Sequence, residues 1–89
     1  MLFLLANRTR PQLSASEYGE LASLAKAFYA SLPAGVTIHG EWAAIDRTQN
    51  FTLLEAPDLE AVRGVQAPFD RFTDTTIVPV TAIKGWTAG

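Results

Sequence analysis

Residues 1–9 begin with the apolar run MLFLLA and pass into NRT. An apolar run without alternation predicts a strand covered on both faces. Pro11 ends it. The spacing then turns helical: Tyr18, Leu21, Ala25, Phe28, Tyr29 and Leu32 fall on one stripe. Ser14 and Glu17 form an S-x-x-E capping box, with Leu13 and Tyr18 spaced as a hydrophobic staple. Pro33 and Gly35 close the segment, so a helix is predicted over 15–32.

Val36 to Ile45 reads as a second strand, and Asp46–Gln49 as a polar turn. Asn50–Ala56 returns as a third strand, making a hairpin. Pro57-Asp58 opens a shorter helix, with Asp58 as N-cap and Glu60 where the helix dipole favours an acid. Leu59, Val62, Val65, Gln66 and Phe69 mark its inner side, and Pro68 stops it. Thr75–Ile83 is rich in β-branched residues and reads as a last strand. Pro79 inside it cannot donate to a ladder, which suits an edge strand.

The order β-α-β-β-α-β predicts an α+β, ferredoxin-like fold with a four-stranded antiparallel sheet in one domain over residues 1–89. The first and third strands are central, the second and fourth at the edges. Two helices cover one face. The first strand is apolar on its other face too, through Leu2, Leu4 and Ala6, so a second copy is expected there. Two sheets packed in this way make a dimeric α+β barrel. The tail KGWTAG, with Trp86, is read as a segment able to wrap onto a partner.

Composition strengthens the expectation of a homodimer. The chain is 48% hydrophobic and 18% charged, which is apolar for 89 residues. The net charge of −2 comes without any basic block, which argues against nucleic acid as a partner. There is no cysteine and one histidine, so neither a thiolate nor a His-cluster metal site is expected, and no cofactor is implied. The N-terminal run is too short to span a bilayer and has no basic flank. The expectation is a cytoplasmic protein with no membrane partner.

The segments MLF, NFTLLEAPDLEAV and DTTIVPV resemble, in order and spacing, proteins of the muconolactone isomerase type. The opening MLF, the GV entering strand two and the closing VPV also resemble short bacterial α+β barrel proteins of no known function. Both resemblances imply the dimeric α+β barrel fold. The matching residues are packing residues, and no catalytic residue carries over with them.

Candidate chemistry centres on IHGEW, residues 38–42. Strict alternation puts His39 and Glu41 on one face, about 7 Å apart, where they can flank a substrate as base and acid. The competing reading makes them solvated residues of an edge strand. A bulge at Gly40 would shift the parity and put His39 beside Trp42. Tyr18, Tyr29, Trp42, Asn50 and Thr52 are candidate ligand-binding residues, each with a packing alternative. Arg8, at the end of strand one, is a candidate for binding a carboxylate at the pocket mouth; its alternative is an ordinary surface charge.

The expected function is therefore binding of a small apolar or carboxylate-bearing molecule. Catalysis, if present, would be a cofactor-free proton transfer of the isomerase type, or a cofactor-independent monooxygenase reaction. The other reading is a non-catalytic ligand-binding or assembly module. An enclosed cavity of a few hundred Å³ holding His39 or a buried acid favours the enzyme; a core filled by Phe28, Tyr29, Trp42 and Phe69 favours the module.

Overall fold

The computed structural model describes residues 1–83. Its elements are β1 (Leu2–Thr9), α1 (Ala15–Ala30), β2 (Thr37–Ala43), β3 (Asn50–Glu55), α2 (Leu59–Gln66) and β4 (Thr73–Val80). A 3₁₀ turn, Ala67–Phe69, follows α2 and contains Pro68. All neighbouring strands are antiparallel, and their order is β2-β3-β1-β4. This is the expected α+β, ferredoxin-like sheet, with β1 and β3 central and Pro79 on an edge strand. The Trp86 tail lies outside the described residues.

Two boundaries moved for pairing reasons. β4 begins at Thr73 because β1 continues to Thr9 and the two residues are partners. It ends at Val80 because Leu2, its partner, is the first residue of β1. α1 stops at Ala30, with the Ser31 amide donating to the Phe28 carbonyl. Gly35 then takes a φ of 82°, which suits a residue without a side chain, and the Val36 amide donates to the Pro33 carbonyl.

The expected caps are present. The Ser14 hydroxyl accepts from the Glu17 amide at 3.1 Å, and the Glu17 carboxylate accepts from the Ser14 amide at 3.0 Å. The Asp58 carboxylate accepts from the Ala61 amide at 2.8 Å. Each cap satisfies helix-end donors that have no partner within the helix.

The helix-covered face of the sheet divides along the strands. At one end Pro79, Phe3, Leu54 and Ile38 form a row across it. Here the core is dry: Phe3, Leu54 and Val62 are fully buried, and Val36 and Ala56 complete it. α2 supplies Val62 and packs Leu59, Ala61 and Val65 around it. At the other end the row is Thr75, Asn7, Asn50 and Ala43, almost wholly polar. Between them lies a mixed row of Ile77, Leu5, Thr52 and Glu41.

α1 lies over the polar end and contributes no buried residue. Its apolar stripe faces the sheet without closing onto it. Phe28 meets Phe69 edge-on with ring centres 5.9 Å apart, and Glu20 pairs with Arg71.

The opposite face of the sheet carries no helix. Leu2, Leu4, Leu53, Phe51, Val78 and Val80 spread over it, all partly buried except Val78, which is exposed. No helix of the described residues is long and apolar enough to cross a membrane.

Candidate functional site

The space under α1 is a cavity of about 380 Å³. Leu21, Ala25, Phe28 and Tyr29 of α1 form its roof. Leu5, Asn7, Asn50 and Thr52 form the sheet floor, and Val65, Gln66 and Phe69 close one side. Most of this wall is apolar, with polar groups concentrated on the floor. That is the usual constitution of a small-molecule site.

The sequence of β2 decides which charged group reaches the cavity. Ile38 opposes Leu54, and Gly40 opposes Leu53, so His39 is an extra residue. This bulge breaks strict alternation. Beyond it Glu41 opposes Thr52 on the helix-covered face, and Trp42 opposes Phe51 on the uncovered one. His39 and Glu41 therefore sit on opposite faces, and the expected pair does not form. The alternative parity, with His39 and Trp42 on one side, is what the structure has.

Glu41 borders the cavity and accepts hydrogen bonds from the Tyr29 hydroxyl and, at 3.3 Å, from the Thr52 hydroxyl. Both donors reach the same carboxylate oxygen, Oε1. Burial, and then the adjacent Glu41 carboxylate, push the Tyr29 hydroxyl well above its ordinary value. Tyr29 thus stays protonated and keeps donating. Its ring also meets Phe28 edge-on at 5.3 Å.

His39 instead hydrogen-bonds Glu55, with Nε2 3.1 Å from Oε1, and both side chains are about half exposed. Trp42 borders the cavity, but its indole lies over Gly40. A β-carbon placed on Gly40 would fall 2.6 Å from Trp42 Cη2.

The remaining expected residues separate in the same way. Asn50 and Thr52 belong to the cavity floor. Tyr18 does not reach the cavity: it lies almost a turn before Leu21, the first lining residue of α1, and is half exposed. Arg8 does not reach it either. It pairs in register with Asp74 and shares the uncovered face with Leu4 and Ala6. There it borders a shallow polar depression with Gln49 and Thr76.

One network went unnoticed in the sequence. The Gln66 amide donates to Thr73 at 3.2 Å and to Thr75 at 2.8 Å, and the Thr75 hydroxyl donates to Asn7 Oδ1 at 2.7 Å. Gln66 and Thr73 are buried. A buried amide needs such partners. The available signal was parity: Asn7 follows Phe3 and Leu5 on their own face, and Thr73 and Thr75 alternate opposite it.

Among the described residues, no group of three or more His, Asp or Glu is placed to hold a metal ion.

Two solved structures of similar fold are SCO4226 from Streptomyces coelicolor A3(2) and Rv0793 from Mycobacterium tuberculosis. The first is 21% identical, with a TM-score of 0.54, covering 92% of this chain and 100% of its own. The second is 12% identical, with a TM-score of 0.51, covering 94% and 98%. At these identities the likeness concerns the fold. No curated protein matches the chain. The resemblance to muconolactone isomerases therefore rests on the sequence segments alone. Over residues 1–88 the chain matches, and belongs to, the family described as Domain of unknown function (DUF3303).

Proposed function

We propose that this protein binds a small, largely apolar organic molecule in the cavity beneath α1, anchored at its polar end by Glu41, Tyr29 and Thr52. The observation that carries the reading is the cavity of about 380 Å³ with a carboxylate on its wall. Phe28, Tyr29 and Phe69 line this space instead of filling it, which favours a binding site over a purely structural module.

The Tyr29–Glu41 contact favours a further reading, cofactor-free proton transfer. Glu41 would take a proton from a carbon beside a carbonyl; as its carboxylate becomes neutral the Tyr29 hydroxyl would turn from Oε1 to donate to the developing enolate oxygen, and Glu41 would return the proton at another carbon. Atoms balance without an added oxidant or metal. His39 has no part in this scheme.

A second copy on the uncovered sheet face completes the proposal. That face presents apolar side chains from three adjacent strands, and a second copy of the same sheet matches it in size and character. A monomer by sedimentation at micromolar concentration would refute the dimer and leave the cavity reading intact.

A backbone-resolved NMR screen of small apolar compounds tests the binding site. Shifts should gather at Leu21, Phe28 and Thr52. Ala25→Phe, which fills the cavity, should abolish them, while His39→Ala should not. Shifts confined to the uncovered face would overturn the assignment.

A further inference from the structure

Among the described residues, the cavity wall has one carboxylate, Glu41, and no lysine, arginine or histidine. Three basic groups close to its wall in the sequence are engaged or turned away. Arg10 donates to the Asp70 carbonyl and pairs with Asp74 at 3.3 Å. Arg8 is on the other face of the sheet. His39 is bound to Glu55 there. The amides of Asn7 and Asn50 add dipoles to the floor, but no charge.

The donors already on Glu41 sharpen the consequence. Tyr29 and Thr52 both give their protons to Oε1. No donor among the described residues reaches Oε2, which is left as an acceptor. A carboxylate can only accept hydrogen bonds. A ligand group that meets it must donate, and a positive charge there would make the bond stronger. A second carboxylate beside it would meet like charge with no compensating cation.

We infer that the cavity selects ligands by charge, taking a molecule whose polar end is a hydrogen-bond donor, an amine or a hydroxyl, and rejecting the carboxylate of the same shape. This deepens, and rests on, the proposal that the cavity binds a small molecule. It also removes the carboxylate-bearing ligand expected from Arg8, because the cation and the cavity lie on different faces.

Three probes with one skeleton and different charge test it: tryptamine, tryptophol and indole-3-acetate, titrated by NMR into wild type and Glu41→Gln. In the wild type tryptamine should bind most tightly, tryptophol within about tenfold of it, and indole-3-acetate at least tenfold more weakly than tryptamine. Glu41→Gln should bring the three within about threefold of one another. Glu41 is exposed at the cavity edge, so the variant should keep the wild-type amide spectrum elsewhere.

Indole-3-acetate binding as tightly as tryptamine, with shifts at Leu21 and Thr52, would overturn charge selection while leaving the cavity site standing. A ranking unchanged in Glu41→Gln would remove Glu41 as its cause. No shift at the cavity with any probe at millimolar concentration would overturn the binding site and this inference together.

Discussion

Gly40→Ala probes the bulge that assigns Glu41 to the cavity. Gly40 is not among the residues with positive φ, so alanine fits its backbone. The obstacle is Trp42, whose Cη2 and Cζ2 lie 2.6 and 3.0 Å from the position the new methyl would occupy. The indole must move. Trp42 is 56% exposed, so a little under half of it is covered. For a side chain of this kind that is roughly 110 Å². At about 25 cal/mol per Å², full displacement costs at most about 2.8 kcal/mol. The ring is the far end of a rotatable side chain and keeps part of its contact. Replacing glycine also lowers the entropy of the unfolded chain, returning about 0.4–1 kcal/mol. The expected net loss is about 1.5 kcal/mol, a fall in Tm of roughly 10 °C for a chain of this size. Urea denaturation in a Trp86→Phe background reports it, since the remaining tryptophan fluorescence is that of Trp42. Emission should shift to the red. In a Trp42→Ala background the same Gly40→Ala change should be neutral or slightly stabilising. An equal loss in both backgrounds would refute the indole–Gly40 contact as the cause.

Four other outcomes follow from the same structure. Phe3→Ala, at a fully buried site, should cost about 3–5 kcal/mol, much of a small domain's stability, read as loss of cooperative unfolding or a large fall in the denaturation midpoint. Ser14→Ala should cost about 1 kcal/mol by removing half of the capping box. Hydrogen bonds from the Ser14 amide and then its hydroxyl hold the Glu17 carboxyl below its ordinary value of 4.5, so its contribution is whole above that pH and is lost as pH falls through the lowered value; the acid limb of a stability–pH curve should flatten in Glu17→Gln. Tyr29 runs the other way: its raised folded value leaves its contribution whole below about pH 10 and removes it as pH climbs further, and Tyr29→Phe should flatten the alkaline limb.

The fold was legible because its signals are local and agree with one another. Ser14 and Glu17 mark one helix start, Asp58 the other, and Pro79 excludes a central position for β4. The cavity was less legible. A stripe such as Leu21, Ala25 and Phe28 shows that a helix turns one side inward, but not how closely the opposing surface approaches. That depends on the row Thr75, Asn7 and Asn50, contributed by three strands distant in sequence. The face taken by Glu41 depended on one extra residue in a ladder. Gly40 marked the place, but the extra residue is His39, and only the register with Leu53 and Leu54 shows it.

A helix of sixteen residues with none buried carries a thermodynamic consequence. α1 should open at a lower free energy than the sheet and α2, where Phe3, Leu54 and Val62 unfold only with the whole chain. Native-state hydrogen exchange should therefore show two classes of amide, with α1 in the faster. A molecule seated beneath α1 would slow that class first. At one hundred times its dissociation constant it adds about 2.7 kcal/mol to the free energy of any opening that releases it. The exchange rates of one helix would then serve as a binding assay for a ligand whose reaction, if it has one, need not be known.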